Sequence, residues 1–120
     1  VTTHLFVYGT LRPGEVRWRF LEPFVVGDGV DTTVAGDVYD TGLDYPAAVF
    51  GGEHRIRGRV YELTRLDDAL AALDEVEGAV RGLYHRVVVP TASGHEAWAY
   101  QCGDPALLVR HLPTGDWMDR

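Results

Sequence analysis

The sequence predicts an α+β fold: a small, mixed, β-barrel-like sheet with one or two flanking helices, in a single domain spanning residues 1–120. Three observations predict it. Most apolar segments are short, rich in β-prone residues and bounded by glycine, as strands are. Only the segment near residues 64–77 carries a clear helical period. The length of 120 residues suits one core, and dividing it would leave neither half enough interior.

In chain order, His4 to Tyr8 (HLFVY) is an unbroken apolar, β-prone run and predicts a strand buried on both faces. Pro13-Gly14 signals a turn. Glu15 to Phe24 predicts a short helix stopped by Pro23, and Gly27-Asp28-Gly29 a loop. Thr32 to Tyr39 predicts a strand with a bulge at its glycine. Asp40 to Pro46 is turn-rich, Ala47 to Phe50 predicts a short strand, and Gly51-Gly52 punctuates before a strand from Arg57 to Leu63. Thr64 is the expected N-cap of the main helix, with Asp67 completing a capping box and Gly78 as its stop. Tyr84 to Val89 and Glu96 to Tyr100 predict a hairpin joined through Ala92-Ser93-Gly94. The tail predicts a helical turn around Leu107 to His111.

Composition removes several classes of function. The net charge is −7, the basic residues are scattered arginines, and there is no lysine. Nucleic-acid binding draws on a basic stripe, so no nucleic-acid partner is expected. Any bound carboxylate must be held by local donors, because the overall field repels it. The one cysteine, Cys102, cannot form an internal disulfide and fits a reducing compartment. No apolar run reaches the roughly 18 residues a membrane helix needs, and VTTHLFVYG lacks the features of a signal peptide. Cytoplasmic localisation and no membrane partner are the expectations.

The main helix carries the most informative side chain. At about 100° per residue from Leu66, Leu70 falls near 40°, Leu73 near 340° and Glu77 near 20°, whereas Glu75 falls near 180°. Glu75 is therefore a solvent-facing charge. Glu77 lies in the centre of the apolar stripe, and a buried unpaired carboxylate is costly. Burial and the negative helix C-terminus both raise its pKa, which suits a general base or acid. The opposing reading is that Glu77 bends outward or pairs with Arg81 or Arg86.

Several segments then resemble one family. Tyr8-Gly9-Thr10-Leu11-Arg12-Pro13-Gly14 is similar to the YG(S/T)LxxG signature of the gamma-glutamylcyclotransferase-like family. Asp37 to Pro46 (DVYDTGLDYP) resembles its strand, turn and Tyr-Pro pair. Leu73 to Arg86 (LDEVEGAVRGLYHR) resembles its LDxxEG segment and following Tyr-x-Arg strand. Gly115-Asp116-Trp117 resembles the GDW that closes many short members. The resemblance implies a small mixed barrel. It also implies cyclisation of a small-molecule γ-glutamyl substrate to 5-oxoproline, without metal or cofactor. It makes Glu77 the catalytic glutamate and the glycine loop the substrate cradle, through backbone N–H groups of Gly9, Thr10 and Leu11. Tyr8 and Tyr84 are candidate substrate-binding hydroxyls, with a core tyrosine as the competing reading of each. Arg86 is expected to support structure by pairing with a carboxylate, and Tyr100 either closes the pocket or packs. A carboxylate-binding module on the same fold, and an amide hydrolase using Glu77 to activate water, are the alternatives.

Other signals carry less. No two of His4, His54, His85, His95 and His111 sit at the spacing of a helical metal site, and Cys102 has no CxxC partner, so no metal is expected. Ser93 lies outside any GxSxG elbow, and no GK(S/T) follows a glycine loop. Trp18, Trp98 and Trp117 read as packing residues.

Overall fold

The computed structural model describes residues 2–9, 14–15, 17–76 and 83–119. Its strands are β1 (His4–Val7), β2 (Val25–Asp40), β3 (Pro46–Leu63), β4 (Tyr84–Pro90), β5 (Glu96–Cys102) and β6 (Arg110–His111). They form one curled sheet in the order β4-β5-β1-β3-β2-β6. β1 pairs parallel with β5 and antiparallel with β3, and the other described pairs are antiparallel. The helices are α1 (Trp18–Leu21) and α2 (Leu66–Val76).

β1 explains why its sequence is apolar without alternation. Leu5 and Val7 pack into one core with Leu73 of α2, Leu21 of α1, Tyr84 and Tyr100. Phe6 and Tyr8 point the other way, into a second core with Val34, Val38, Ile56 and Trp117. A strand buried on both faces has no polar position to offer. Trp117, from a 3₁₀ turn at Trp117–Asp119, is 1% exposed and fills that second core.

Several boundaries differ from the sequence expectations. Gly27-Asp28-Gly29 is no loop: β2 runs through it, with a register shift between Val26 and Val30. The Arg59 side chain donates to the carbonyls of Asp28 and Gly29, satisfying acceptors that the sheet leaves unpaired there. Gly51-Gly52 does not end a strand either. β3 is continuous, with Phe50 opposite Gly36 and Arg55 opposite Ala35, so residues 51–54 bulge out of the ladder. The expected bulge at Gly36 lies at this same shift.

The first helix is shorter than expected, and a 3₁₀ turn over Glu22–Phe24 follows it, with Pro23 early enough in that turn to need no N–H partner. In α2 the first helical hydrogen bond runs from Ala69 N to Arg65 O. The N-cap is therefore Arg65, at φ 49°, and Thr64 lies one residue outside. The tail turn falls earlier than expected, at Pro105–Leu107, where the Asp104 carboxylate caps Ala106 N at 3.0 Å. Arg110 and His111 instead form β6 against Asp40 and Tyr39. No helix among the described residues is long and apolar enough to cross a membrane.

Because Trp117 fills a core rather than covering a surface, Trp117→Ala should cost about 3–5 kcal/mol of unfolding free energy. Trp18→Ala, which truncates a half-buried ring packed on Tyr61 at 5.4 Å, should cost about 1 kcal/mol. Urea unfolding midpoints at matched slopes measure both. Equal losses would place Trp117 outside the core.

Candidate active site

The cluster that the sequence nominates assembles around the ends of β1, β5 and α2. The Tyr8 hydroxyl, at the end of β1, donates to the Tyr100 carbonyl of β5 at 2.5 Å. The Tyr100 hydroxyl donates to Asp74 Oδ1 on α2 at 2.8 Å. Arg86 of β4 grips the same carboxylate with two bonds, Nε to Oδ1 at 2.9 Å and Nη2 to Oδ2 at 3.1 Å. The guanidinium also lies over the Trp98 ring, 4.6 Å from its centroid. One carboxylate thus ties the last described turn of α2 to β4 and β5, in the two-pronged geometry that Arg forms with carboxylates.

The other side of the cluster is built on Pro46, at the start of β3. Its carbonyl accepts from the Tyr84 hydroxyl at 2.6 Å. Its ring lies against Gly9, where an added Cβ would sit 2.3 Å from Pro46 Cγ. No real side chain tolerates that approach, so glycine is required for β1 to leave the sheet beside Pro46. The Tyr45 and Tyr84 rings pack at 6.4 Å.

Of the nominated residues, Gly9 and Tyr84 meet at Pro46, whereas the Tyr8 ring lies in the second core and reaches the cluster through its hydroxyl at the Tyr100 carbonyl. Both tyrosines are buried, at 7% and 3% exposure, and each hydroxyl binds a main-chain carbonyl. Thr10, Leu11 and Glu77 lie outside the described residues. The flanks of their segments do not: Gly9 precedes residues 10–13, while Val76 and Leu83 bracket residues 77–82. Leu83 packs against the same core as Tyr84, Tyr100 and Leu73. Glu75 is exposed, as its helical angle predicts.

Asp74 is the residue that sequence reasoning missed. It falls at about 80° from Leu66, on the flank of the apolar stripe, where a polar group can be half-buried. The available signal is Arg86, which is expected to pair with a carboxylate: the opposing reading of Glu77 offers that residue as the partner, whereas the structure pairs Arg86 with Asp74. Cys102 is half-buried and its thiol donates to the Asp104 carbonyl at 3.0 Å, a local contact. Elsewhere the surface carries a hollow of about 630 Å³ beside Trp18, Tyr61 and Arg59, where Arg59 is held by Asp31 at 2.7 Å. Folding also gathers Asp37, His54 and His111, which no sequence spacing relates.

Comparison with known proteins places the chain in a family. A family model described as gamma-glutamyl cyclotransferase, AIG2-like, matches residues 5–119. The chain is 34% identical over 119 residues to the gamma-glutamylcyclotransferase family protein YtfP of Escherichia coli, covering 97% of this chain and 96% of that one. It is 30% identical over 105 residues to the gamma-L-glutamyl-butirosin B gamma-glutamyl cyclotransferase of Niallia circulans, covering 81% of this chain and 65% of the relative. The fold matches the crystal structure of a mouse AIG2-like protein with TM-score 0.76 at 18% identity, over 96% and 87% of the two chains. An uncharacterized protein of Pyrococcus horikoshii matches with TM-score 0.77 at 22% identity, over 98% and 92%.

If Asp74 joins helix to sheet, Asp74→Asn should cost about 1.5–3 kcal/mol and Tyr100→Phe about 0.5–1.5 kcal/mol. The two losses should be non-additive by more than about 0.5 kcal/mol in a double-mutant cycle. Strict additivity in urea titrations would mean that the two groups do not share an interaction.

Proposed function

The chain belongs to the gamma-glutamyl cyclotransferase, AIG2-like, family, and from that premise we propose that it cyclises a γ-glutamyl amide to 5-oxoproline, releasing the amine or amino acid. One observation carries the reading beyond the family. The described flanks of the Tyr8-Gly9 loop and of the LDEVEG helix end are both tied to Tyr100, the first at its main-chain carbonyl and the second through its hydroxyl on Asp74, which Arg86 also grips. That is the arrangement a substrate cradle and a general base need if they are to act on one molecule.

In the proposed reaction the substrate supplies its own nucleophile. The α-amine attacks the γ-carbonyl, a C–N bond closes the five-membered ring, and the amide C–N bond to the leaving group breaks. At neutral pH that amine is mostly ammonium and lacks a lone pair. Glu77, as carboxylate, takes its proton and then delivers one to the departing nitrogen, so the cycle is proton-neutral. The backbone N–H groups of Gly9, Thr10 and Leu11 hold the substrate carboxylate or the developing oxyanion. Tyr84, whose hydroxyl fixes β4 to β3, forms a wall on the α2 side, and Tyr8, whose ring lies in the second core, fixes the start of the glycine loop to β5. Holding amine and carbonyl in register is itself worth on the order of 7–11 kcal/mol for a well-oriented closure. Neither metal nor cofactor enters this chemistry. The substrate is a small molecule, and the low cysteine content suits a reducing, cytoplasmic setting.

Incubation with a panel of γ-glutamyl amines and amino acids, assayed for 5-oxoproline, tests the reading. Glu77→Gln should lower turnover by about 10²–10⁴-fold, and Glu75→Gln should leave it near the parent value. A Glu77→Gln protein as active as the parent would overturn the assigned base. Free glutamate in place of 5-oxoproline would indicate a hydrolase, and saturable binding without product a binding module.

A further inference from the structure

We propose that Asp37, His54 and His111 form a binding site for a divalent first-row transition metal ion, with zinc as the fitting case. The site shares no residue with the candidate active site and does not rest on the γ-glutamyl reading. Three separate segments build it. Asp37 lies in β2, His111 in β6, and His54 at the end of the bulge that interrupts β3. Asp37 Oδ1 lies 2.7 Å from His54 Nδ1 and 2.8 Å from His111 Nε2. The three potential ligand atoms all fall within 4.8 Å of one another.

The donor set is two imidazole nitrogens and one carboxylate oxygen, a set that suits zinc and its neighbours in the first transition row. A tetrahedral zinc with bonds of about 2.0–2.2 Å needs its ligand atoms about 3.3–3.5 Å apart. Both carboxylate–imidazole separations are shorter than that, and the His54 side chain is 73% exposed and so can open the contact. One oxygen, Asp37 Oδ1, already faces both imidazole rings at hydrogen-bond distance. An ionised carboxylate only accepts hydrogen bonds, so both contacting ring nitrogens now carry hydrogens. An imidazole that carries its hydrogen on the other ring nitrogen presents a lone pair at the same place.

The surroundings are those of a seat rather than a chance contact. The Tyr39 ring packs edge-on to His111 at 5.3 Å and limits its rotation. Gly51 and Gly52, at φ 107° and 83°, provide the backbone turn that returns His54 over Asp37. A hollow of about 230 Å³, bounded also by Gly36 and Gly115, leaves room for a water or a fourth ligand. Arg55, beside it, points its guanidinium at Thr33 rather than at the three ligands. A bound ion would clasp β6 and the bulge to β2.

Tag-free protein titrated with Zn²⁺ by calorimetry should take up one equivalent. Co²⁺ in its place should show visible absorption of low-coordinate geometry. His54→Gln, His111→Gln and Asp37→Asn should each weaken binding by at least the roughly 10–100-fold that loss of an outer-sphere partner costs a zinc site. His4→Gln/His95→Gln, at the other histidine pair, stacked at 4.4 Å, should leave binding unchanged. Zinc at about 100-fold over Kd should raise Tm by roughly 5–10 °C in the parent and in none of the three ligand variants. Anomalous scattering from zinc-soaked parent crystals should place the ion about 2.0–2.2 Å from the three ligand atoms, a test that needs no variant to fold. Absence of a saturable equivalent, binding that survives His54→Gln/His111→Gln, or an anomalous peak elsewhere would overturn the assignment.

Discussion

The burial of β1 on both faces is the constraint from which the other elements take their places. Four residues, His4–Val7, cannot cover themselves. Their backbone groups are paired on one edge by β3 and on the other by β5. One face must be closed by α1 and α2, the other by the curl of β2 and β3 and by Trp117 from the far end of the chain. A strand that must be enclosed in this way also delivers the residues after it to the same enclosed place. Tyr8 and Gly9 therefore leave the sheet next to Pro46, Tyr84 and Tyr100 without any dedicated loop to steer them.

The polar network around that exit follows from burying tyrosines. A buried phenol has to find a partner, and here each hydroxyl ties two elements: Tyr8 ties β1 to β5, Tyr84 ties β4 to β3, and Tyr100 ties β5 to α2. Asp74 completes it by giving Arg86 a two-pronged partner while accepting from Tyr100. The helix end is thus fixed by three hydrogen bonds to two different strands, a rigid support of the kind a proton-transfer residue close by in sequence would need. Support of this sort is separate from catalysis: Asp74 acts through the placement of the helix, and its own oxygens are spent on Arg86 and Tyr100.

The fold was legible in the sequence where one local signal dominated. β1, β4, β5 and the apolar stripe of α2 follow from runs and periods that nothing contradicts. The segments read as resembling the family, from Tyr8-Gly9 to Asp116-Trp117, lie within the residues that the family model matches. Legibility failed where the outcome depended on a distant partner. Thr64 has the right side chain for a cap, yet the first helical bond begins at Arg65 because Thr64 N is drawn to the Phe24 carbonyl at 2.8 Å. The tail reads as helical from its leucines, but Arg110 and His111 find an open edge on β2 and become a strand. Asp74 could not be ranked above its neighbours, since its role depends on two strands that come later in the chain.

The two glycine pairs make the same point in a form that bears on function. Gly27 with Gly29, and Gly51 with Gly52, read alike as breaks, because positive φ and missing side chains are the mark of loops. Both instead lie in long strands whose pairing resumes on the far side. A strand can absorb such residues when its partner keeps the ladder on either side, so the break becomes a bulge that redirects nearby side chains. In the first bulge the exposed carbonyls collect Arg59. In the second, the extra residues return His54 to Asp37, seventeen positions away in sequence. Metal-ligand spacing rules assume that a helix or tight turn brings donors together. Here a bulge and an edge strand do so, which is why a sequence search of the histidines finds nothing and the folded chain gathers two of them on one carboxylate.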